Sequence, residues 1–409
     1  MITPFRLLFA APLRIFSDDH MVAHSAGGVR TWGHLCGRIS AWEQALAPLA
    51  GDLVALHLDD SYEFFAALAG LWRLGKRALV PSNNLPATYA QLATFTPHFA
   101  GDFPLAGVIT PTSTTATPFA SIPLPPADNA ALVLFTSGST GAPQPVSKSF
   151  AQLEAELDAL ESRWGTQLAG ASIASSVSHH HRYGLLFRLL WPLCAGRPYV
   201  VAERNYWEEL AEDVRRYQPL ALVSSPAHLS RIPALEWPEQ AQIAAIFCSG
   251  GPLALEAALG AKAQLGQPVT EVYGSTETGG IGWRSQDKSS VWHCLPGVEV
   301  ALASDSLLQV RSPHLADDNW YITSDRASLE ADGSFTICGR ADRIAKVSGK
   351  RISLSEIERL LERQPGVAQA RVLLLPERGE RLGAVVVLDN AGNKPVSYTH
   401  LTLPTTERV

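Results

Sequence analysis

Charged residues are scarce in this sequence, and those present form no basic tract. Asp, Glu, Lys and Arg make up 18% of the 409 residues, against about 25% in ordinary soluble proteins, and the formal net charge is −6. A nucleic-acid surface needs a positive patch, so we expect no nucleic-acid partner. Hydrophobic residues make up 46% of the chain, which is enough to bury the interior of two or three domains.

Closely spaced cysteines and long hydrophobic runs are also absent. The five cysteines, none with metal-ligand or redox spacing, are Cys36, Cys194, Cys248, Cys294 and Cys338. We therefore predict free thiols in a reducing cytoplasm. The apolar stretch near the N-terminus lies between Arg6 and Pro12 and is too short for a signal peptide or a membrane span. We expect a cytoplasmic protein with neither.

Strand-like and helix-like segments alternate over roughly the first 300 residues. "DLVALHL" precedes the helical pattern "SYEFFAALAGLWRLG", and "AQLEAELDALESRW" predicts another helix over residues 151–164. "ALVSS" and "AAIFCSGG" predict core strands that end in small residues. This alternation predicts an α/β fold with parallel-rich sheets flanked by helices. In such sheets ligands bind where the strands end in loops.

The pattern changes near residue 298. Short alternating runs such as "SLLQVRS" and "GSFTICGR" predict a β-rich subdomain. "SLSEIERLLERQPGV" then predicts an amphipathic helix that opens with a capping box of Ser353 and Glu356, and two apolar runs after it complete a small α+β unit. We predict an N-terminal domain over residues 1–339 and a partial C-terminal α+β lid domain over residues 340–395.

The last residues differ from everything before them. "VSYTHLTLPT", residues 396–405, has no periodicity and matches the in-frame translation of a transposon adapter used in sequencing libraries. We therefore interpret residues 396–409 as non-native and expect the natural protein to continue beyond about Lys394. The alternative is a natural polar tail.

A loop rich in glycine and hydroxyl groups follows the apolar run of residues 131–135. Its members are Thr136, Ser137, Gly138, Ser139, Thr140 and Gly141. A Walker P-loop is excluded, because Pro143 stands where the second glycine belongs and no lysine follows it. The glycines still let backbone N–H groups turn toward one point, which suits an anion. By itself, the pattern also fits an ordinary Ser/Thr-rich turn.

Four further motifs follow the loop in order: "SGGPL", "EVYGSTETGG", "YITSD" and "GRADRIAKVSGKRI". With them, residues 25–394 resemble the adenylate-forming superfamily of acyl- and aryl-CoA ligases, peptide-synthetase adenylation domains and firefly luciferase. The resemblance implies that a carboxylic acid and ATP form an acyl-adenylate with release of pyrophosphate. It also implies that a pantetheine thiol, of CoA or of an acyl carrier protein, then takes the acyl group.

The resemblance implies roles for individual residues in ATP binding. The loop from Thr136 to Gly141 would hold the β- and γ-phosphates. The motif residues implied to contact the rest of the nucleotide are Tyr273 (adenine stacking), Gly274 (cofactor binding), Gly250 and Gly251 (close approach of the base), Thr276 (α-phosphate), Glu277 (Mg²⁺), and Asp325 and Arg340 (ribose). A carboxylate suits Mg²⁺, which prefers oxygen ligands. Taken singly, Thr276 and Glu277 also fit a solvated turn, and Asp325 fits a turn cap.

Two further segments carry implied roles. Asp342 matches the hinge of the small domain, and Lys346 lies with Gly349 on the loop used for thioester formation, although a surface lysine is ordinary at such a place. "SHHHRYGLLFRLLWPL" matches the segment that lines the acyl pocket, with His181, Tyr183 and Gly184 in register. Three adjacent histidines also suggest a metal, but adjacent side chains diverge and cannot all reach one ion.

The sequence departs from the family pattern at three places. Gln144 replaces the usual lysine after the phosphate loop, and Lys148, four residues on, is the next candidate cation. Ser324 replaces the glycine of a Thr-Gly-Asp motif. The family's C-terminal Gly-Lys motif does not occur before the adapter-like tail. We therefore expect this chain to bind ATP but to adenylate poorly, and full turnover in a pyrophosphate-release assay would contradict that.

The segment around the three histidines most resembles the AMP-ligases of aryl-polyene and xanthomonadin pigment clusters. That resemblance implies an aryl substrate such as a hydroxybenzoate, and a fatty acyl-CoA or acyl-carrier synthetase is the alternative. Two other classes remain open. One is a non-catalytic nucleotide-binding homologue, and the other is luciferase-like oxidation of an acyl-adenylate, which oxygen uptake would reveal.

Overall fold

The computed structural model describes residues 2–11, 15–111, 120–136, 144–235, 237, 242–347, 350–375 and 381–388. They form two compact units, one within Met1–Glu299 and Arg311–Asn319, the other within Val300–Val310 and Trp320–Val409. The domain boundary predicted at residue 339 divides the chain differently and stays a prediction. Residues 396–409 lie outside the described residues.

Helices flank the sheets of the first unit, as the alternating pattern predicts. Those of the described residues are α1 (Leu7–Ala10), α2 (Trp32–Leu46), α3 (Ser61–Arg73), α4 (Pro86–Leu92), α5 (Phe150–Trp164), α6 (Arg182–Gly184), α7 (Trp191–Cys194), α8 (Trp207–Arg216), α9 (Pro226–Leu229) and α10 (Leu255–Leu265). A π-helix, Leu185–Leu190, joins α6 to α7. None of the described helices has the length and apolar character needed to cross a bilayer.

Two sheets form the first unit. Their strands in chain order are β1 (Met21–Ser25), β2 (Gly28–Thr31), β3 (Leu53–His57), β4 (Arg77–Val80), β5 (Phe99–Gly101), β6 (Ala130–Thr136), β7 (Gln144–Ser149), β8 (Ser172–Ser175), β9 (Tyr199–Val200), β10 (Leu220–Ser224), β11 (Ile243–Cys248), β12 (Val269–Ser275), β13 (Gly279–Arg284) and β14 (His293–Cys294). The larger sheet has the order β14-β13-β12-β11-β10-β8-β9-β1-β2, and the smaller one β5-β3-β4-β6-β7. Pairing is parallel from β12 through β1 and from β5 through β6.

Local signals in the sequence account for the starts of the main helices. The Asp60 carboxylate accepts from the N–H groups of Tyr62 and Glu63 at the start of α3. Ser149 and Gln152 form a reciprocal capping box at the start of α5. Each cap satisfies backbone donors that a helix start leaves unpaired. These caps fix the helix directions, and apolar faces then pack the helices on the sheets.

The second unit is β-rich and ends in a small α+β layer, as predicted. Its elements are β15 (Glu299–Leu302), β16 (Leu307–Arg311), β17 (Tyr321–Leu329), β18 (Phe335–Arg340), β19 (Ile344–Val347), β20 (Lys350–Ser353), α11 (Leu354–Glu362), β21 (Val367–Leu375) and β22 (Arg381–Leu388). Strands β15 to β18 form one sheet in chain order, and β19–β20 and β21–β22 are two separate hairpins. Helix α11 begins directly after Ser353, the residue predicted to cap it.

Candidate active site

The carboxyl ends of four parallel strands bring the candidate residues of the first unit to one sheet edge. Strands β8, β10, β11 and β12 are consecutive neighbours and run in the same direction. The chain after each strand is rich in serine, threonine or glycine. Ser176, after β8, and Ser224, at the end of β10, approach each other with their hydroxyls 2.9 Å apart. This edge is where an open parallel sheet binds its ligands.

Gly250, Gly251 and Tyr273 lie together at this edge. Cys248 of β11 pairs with Glu271 of β12, so the residues two positions further on each strand are close neighbours. The Ser249 hydroxyl donates to the Val272 carbonyl at 2.8 Å and fixes the turn beside Tyr273. Gly250 has φ +93° and an exposed backbone, with no atom within 4 Å of the place a Cβ would take. The backbone here is open to a flat ligand.

The turn after β12 is closed by its own hydroxyl groups. The Thr278 N–H donates to the Ser275 hydroxyl at 3.2 Å, and the Ser275 N–H donates to the Thr278 hydroxyl at 3.1 Å. A Cβ on Gly279 would stand 2.6 Å from His314 Cβ, and one on Gly280 would stand 2.7 Å from Leu295 Cδ1. Glycine is needed at position 279, where φ is also +82°, whereas a side chain at position 280 would require Leu295 to shift, so the turn packs closely on the protein beneath it. Gly274, at the end of β12, is exposed.

Thr276 and Glu277 stand at the apex of this turn. Both side chains are half-buried, and within the described part of the chain neither makes a hydrogen bond to another side chain. A carboxylate and a hydroxyl without side-chain hydrogen bonds among the described residues fit the oxygen donors that Mg²⁺ and phosphate require. The donor set is therefore compatible with the predicted nucleotide–metal site, and the roles of both residues stay predictions.

Lys148 lies beneath the turn, on the strand that follows the phosphate loop. Its side chain is only 2% exposed. The Lys148 ammonium donates to the carbonyl oxygens of Glu277, at 2.7 Å, and His314, at 3.2 Å. Burial, assisted by the nearby Arg182 charge and opposed by the Glu277 carboxylate, lowers the pKa of Lys148 to about 7.

A buried ion pair supports the same turn from the other side. Arg182 and Glu156 are paired, and the Glu156 carboxylate also accepts from the Gly280 N–H at 2.8 Å. The Arg182 guanidinium donates to the Ser275 carbonyl at 3.3 Å. His314 Nδ1 donates to the Gly280 carbonyl at 3.0 Å, and burial lowers the pKa of His314 to about 4. Four buried polar side chains thus hold the backbone of residues 275–280.

Sequence reasoning did not find Glu156, Arg182 or His314. A signal was present for Glu156, because it falls on the apolar face of α5 with Leu153 and Leu157. A charged residue on the buried face of a helix indicates that it is paired with another group in the folded protein. Arg182 and His314 give no such signal, since their contacts come from segments distant in the sequence.

Two of the three adjacent histidines, His179 and His180, hydrogen-bond to the same residue, Leu58, and the third is exposed. His179 Nε2 donates to the Leu58 carbonyl at 2.8 Å, whereas His180 Nε2 accepts from the Leu58 N–H at 3.4 Å. Both rings are buried, and together they bind the N–H and the C=O of Leu58, the residue directly after β3. His181 is exposed, and desolvation by the surrounding protein lowers its pKa. The described residues contain no group of three His, Cys, Asp or Glu able to hold a metal.

Tyr183 and Gly184 begin the helical segment that follows. The Tyr183 ring packs on Phe187 with centroids 4.8 Å apart, and burial raises the pKa of Tyr183 well above its usual range. A Cβ on Gly184 would overlap the Ser178 carbonyl oxygen. The close contact at Gly184 fixes where this helical segment begins, and its role in an acyl pocket stays a prediction.

The second unit carries the other predicted site residues. Asp325 pairs in register with Arg340, and their side chains form an ion pair with Arg340 Nη1 3.7 Å from Asp325 Oδ1. The Asp325 N–H also donates to the Thr323 hydroxyl at 3.1 Å. Asp342 lies in a 3₁₀ turn, and Lys346 lies in β19.

The phosphate loop falls largely outside the described residues. Ser137, Gly138, Ser139, Thr140 and Gly141 lie there, as does Gly349. Thr136 is the last residue of β6, next to β4 in the smaller sheet.

Residues 97–314, more than half of the chain, match the sequence model of the family described as AMP-binding enzyme. A 4-coumarate–CoA ligase of Cereibacter sphaeroides is 31% identical over 255 residues, which cover 61% of this chain and 57% of the relative. A 4-chlorobenzoate–CoA ligase of an Arthrobacter species is 23% identical over 309 residues, which cover 67% of this chain and 59% of that relative. This chain therefore spans about three fifths of the length of these curated relatives.

Solved structures show the same fold. ATP-bound MatB from Rhodopseudomonas palustris superposes with a TM-score of 0.78 at 20% identity, covering 97% of this chain and 90% of MatB. The o-succinylbenzoate–coenzyme A synthetase MenE from Bacillus subtilis, in complex with AMP, superposes with a TM-score of 0.77 at 20% identity and with the same coverage of both chains. At this identity the similarity establishes the α/β fold.

Proposed function

Because this chain belongs to the AMP-binding enzyme family, we propose that it is an ATP-dependent, AMP-forming acid–thiol ligase. In the first half-reaction a carboxylate oxygen attacks the α-phosphorus, the bond to the β-phosphate breaks, and pyrophosphate leaves. In the second, a thiolate attacks the acyl carbon and AMP leaves. The observation that carries this proposal is the pair Thr276 and Glu277 in the turn after the parallel strand β12, where neither side chain hydrogen-bonds to another side chain of the described residues, together with the open backbone at Gly250.

Each residue group would contribute a separate interaction. Tyr273 and the backbone of Gly250 and Gly251 would hold adenine. Thr276 would donate to the α-phosphate, and Glu277 would hold Mg²⁺, which supplies positive charge that reduces repulsion between the two anionic reactants. Asp325 and Arg340 would contact the ribose.

The acid is proposed to be aromatic, with a hydroxybenzoate as the first candidate. The two named ligases act, by their names, on coumarate and chlorobenzoate, which are both aryl acids. Aromatic rings also follow the cleft residue Tyr183, which packs on Phe187. The resemblance to pigment-cluster ligases points the same way. CoA is the acceptor favoured by the relatives, and an acyl carrier protein is the alternative.

Carboxylate-dependent exchange of labelled pyrophosphate into ATP tests this function. Because the sequence predicts poor adenylation by this chain, we expect weak exchange with 3- or 4-hydroxybenzoate that still exceeds a control without acid, and less exchange with hexanoate or octanoate. Exchange with the aliphatic acids alone would contradict the aryl proposal. Thioester formation assayed with CoA and, separately, with a phosphopantetheinylated carrier protein then identifies the acceptor.

A further inference from the structure

Lys148 is buried, and burying a lysine costs free energy unless protein groups accept hydrogen bonds from its ammonium. It lies in β7, where Ser147 is exposed and Lys148 is buried, so the strand alternation points its side chain inward. An ammonium taken out of water must regain its hydrogen bonds from the protein. Two of its three donors are satisfied by backbone carbonyl oxygens.

Those two carbonyls belong to segments far from Lys148 in the sequence. Glu277 lies 129 residues away, in the turn after β12, and His314 lies 166 residues away. Gln152 Nε2 donates to the same His314 carbonyl at 3.2 Å, so the start of α5 reaches the same point. One ammonium therefore ties the strand that leaves the phosphate loop to the turn that carries Thr276 and Glu277.

We propose that Lys148 is a positioning residue: it holds the Glu277 backbone, and so sets where the Glu277 carboxylate stands toward a metal-bound nucleotide. This inference rests on the proposed function. It differs from the simplest expectation, in which Lys148 replaces the lysine missing at Gln144 and contacts phosphate directly. The ammonium already donates to two carbonyls, and its effect on the nucleotide passes through the turn.

The test compares Lys148→Met with a matched control, Lys76→Met. Lys76 also donates from its ammonium to two carbonyl oxygens, those of Leu49 at 2.8 Å and Gly51 at 2.6 Å, away from the candidate site. Titration calorimetry measures ATP affinity with Mg²⁺ and with a chelator. Both lysine variants are also made in a Glu277→Gln background.

A positioning role predicts a loss that depends on Mg²⁺ and on Glu277. We expect Lys148→Met to weaken MgATP binding about tenfold and to leave metal-free ATP binding nearly unchanged. In the Glu277→Gln background the same change has little further effect, because the carboxylate it positions is gone. Lys76→Met leaves both affinities unchanged. Equal losses with and without Mg²⁺ that add to the Glu277→Gln loss would establish direct phosphate contact and overturn the proposal.

Hydrogen exchange without nucleotide separates this inference from the proposed function. Lys148→Met should speed amide exchange in residues 275–280 about tenfold, whereas Lys76→Met leaves that turn unchanged. If the wild-type chain binds no ATP, the proposed function fails. The hydrogen-exchange result alone then decides whether Lys148 positions the turn of residues 275–280. Unchanged exchange in the turn would overturn it in every case.

Discussion

At the scale of single residues, close backbone contacts decide which positions tolerate a side chain. Gly184 and Gly260 are both helical glycines of the first unit, in α6 and α10. A Cβ on Gly184 meets the Ser178 carbonyl, whereas a Cβ on Gly260 meets nothing within 4 Å. The sequence shows two glycines in helical segments and cannot distinguish them, because the Ser178 contact exists only in the folded chain.

Alanine at these two glycines should change stability in opposite directions. We expect Gly184→Ala to lower the free energy of unfolding by about 1–3 kcal/mol through steric overlap. Gly260→Ala should raise it by about 0.5–1 kcal/mol, because alanine favours a helix. Urea unfolding of both variants measures the difference. Equal effects at the two sites would show that the Ser178 contact does not govern stability.

At the scale of elements, the sequence predicts the helices and strands that are determined by the local pattern of apolar residues. The apolar periodicity of residues 151–164 and the short runs ending at Ser224 and Cys248 correspond to α5, β10 and β11. The π-helix Leu185–Leu190 was not predicted, since its residues are all buried and present no amphipathic period. The polar support of the candidate site was also missed, because Lys148 and Arg182 find partners across the fold.

Two glutamates on different helices allow the contribution of a buried ion pair to the free energy of unfolding to be compared with that of an exposed one. Glu156 of α5 is 2% exposed in its pair with Arg182, whereas Glu212 of α8 is 43% exposed in its pairs with Arg215 and Arg216. Glu156→Gln leaves a buried guanidinium without its counter-charge and should cost about 3 kcal/mol of unfolding free energy. Glu212→Gln should cost less than about 1 kcal/mol. Denaturant midpoints of the two variants that coincide would contradict this reading.

At the scale of the whole molecule, buried histidines make the fold sensitive to acid. Burial lowers the pKa of His180 to about 3 from an ordinary 6.5, and lowers the pKa of His179 well below that ordinary value. The His57 ring stacks on His180 with centroids 3.9 Å apart, and burial lowers its pKa too. The folded state therefore keeps these rings neutral while the unfolded chain takes up protons.

Stability should fall as the pH drops below 6.5. Above that value both states are neutral at these histidines and the full stability is present; below it only the unfolded chain gains protons. His180 alone should cost about 2 kcal/mol by pH 5. The difference in unfolding free energy between pH 7.5 and pH 5 should shrink in His180→Gln, because this variant removes a buried imidazole whose pKa is lowered. An unchanged difference in His180→Gln would contradict the assignment.

Acid-dependent exchange of pyrophosphate into ATP by the wild-type and Glu277→Gln chains decides whether this protein is an adenylate-forming ligase. We expect exchange to require an added carboxylic acid and to fall by about 10²-fold in Glu277→Gln with the fold intact. ATP binding without any acid-dependent exchange, over a panel of aryl and aliphatic acids, would contradict this expectation. The chain would then be a nucleotide-binding protein without ligase activity.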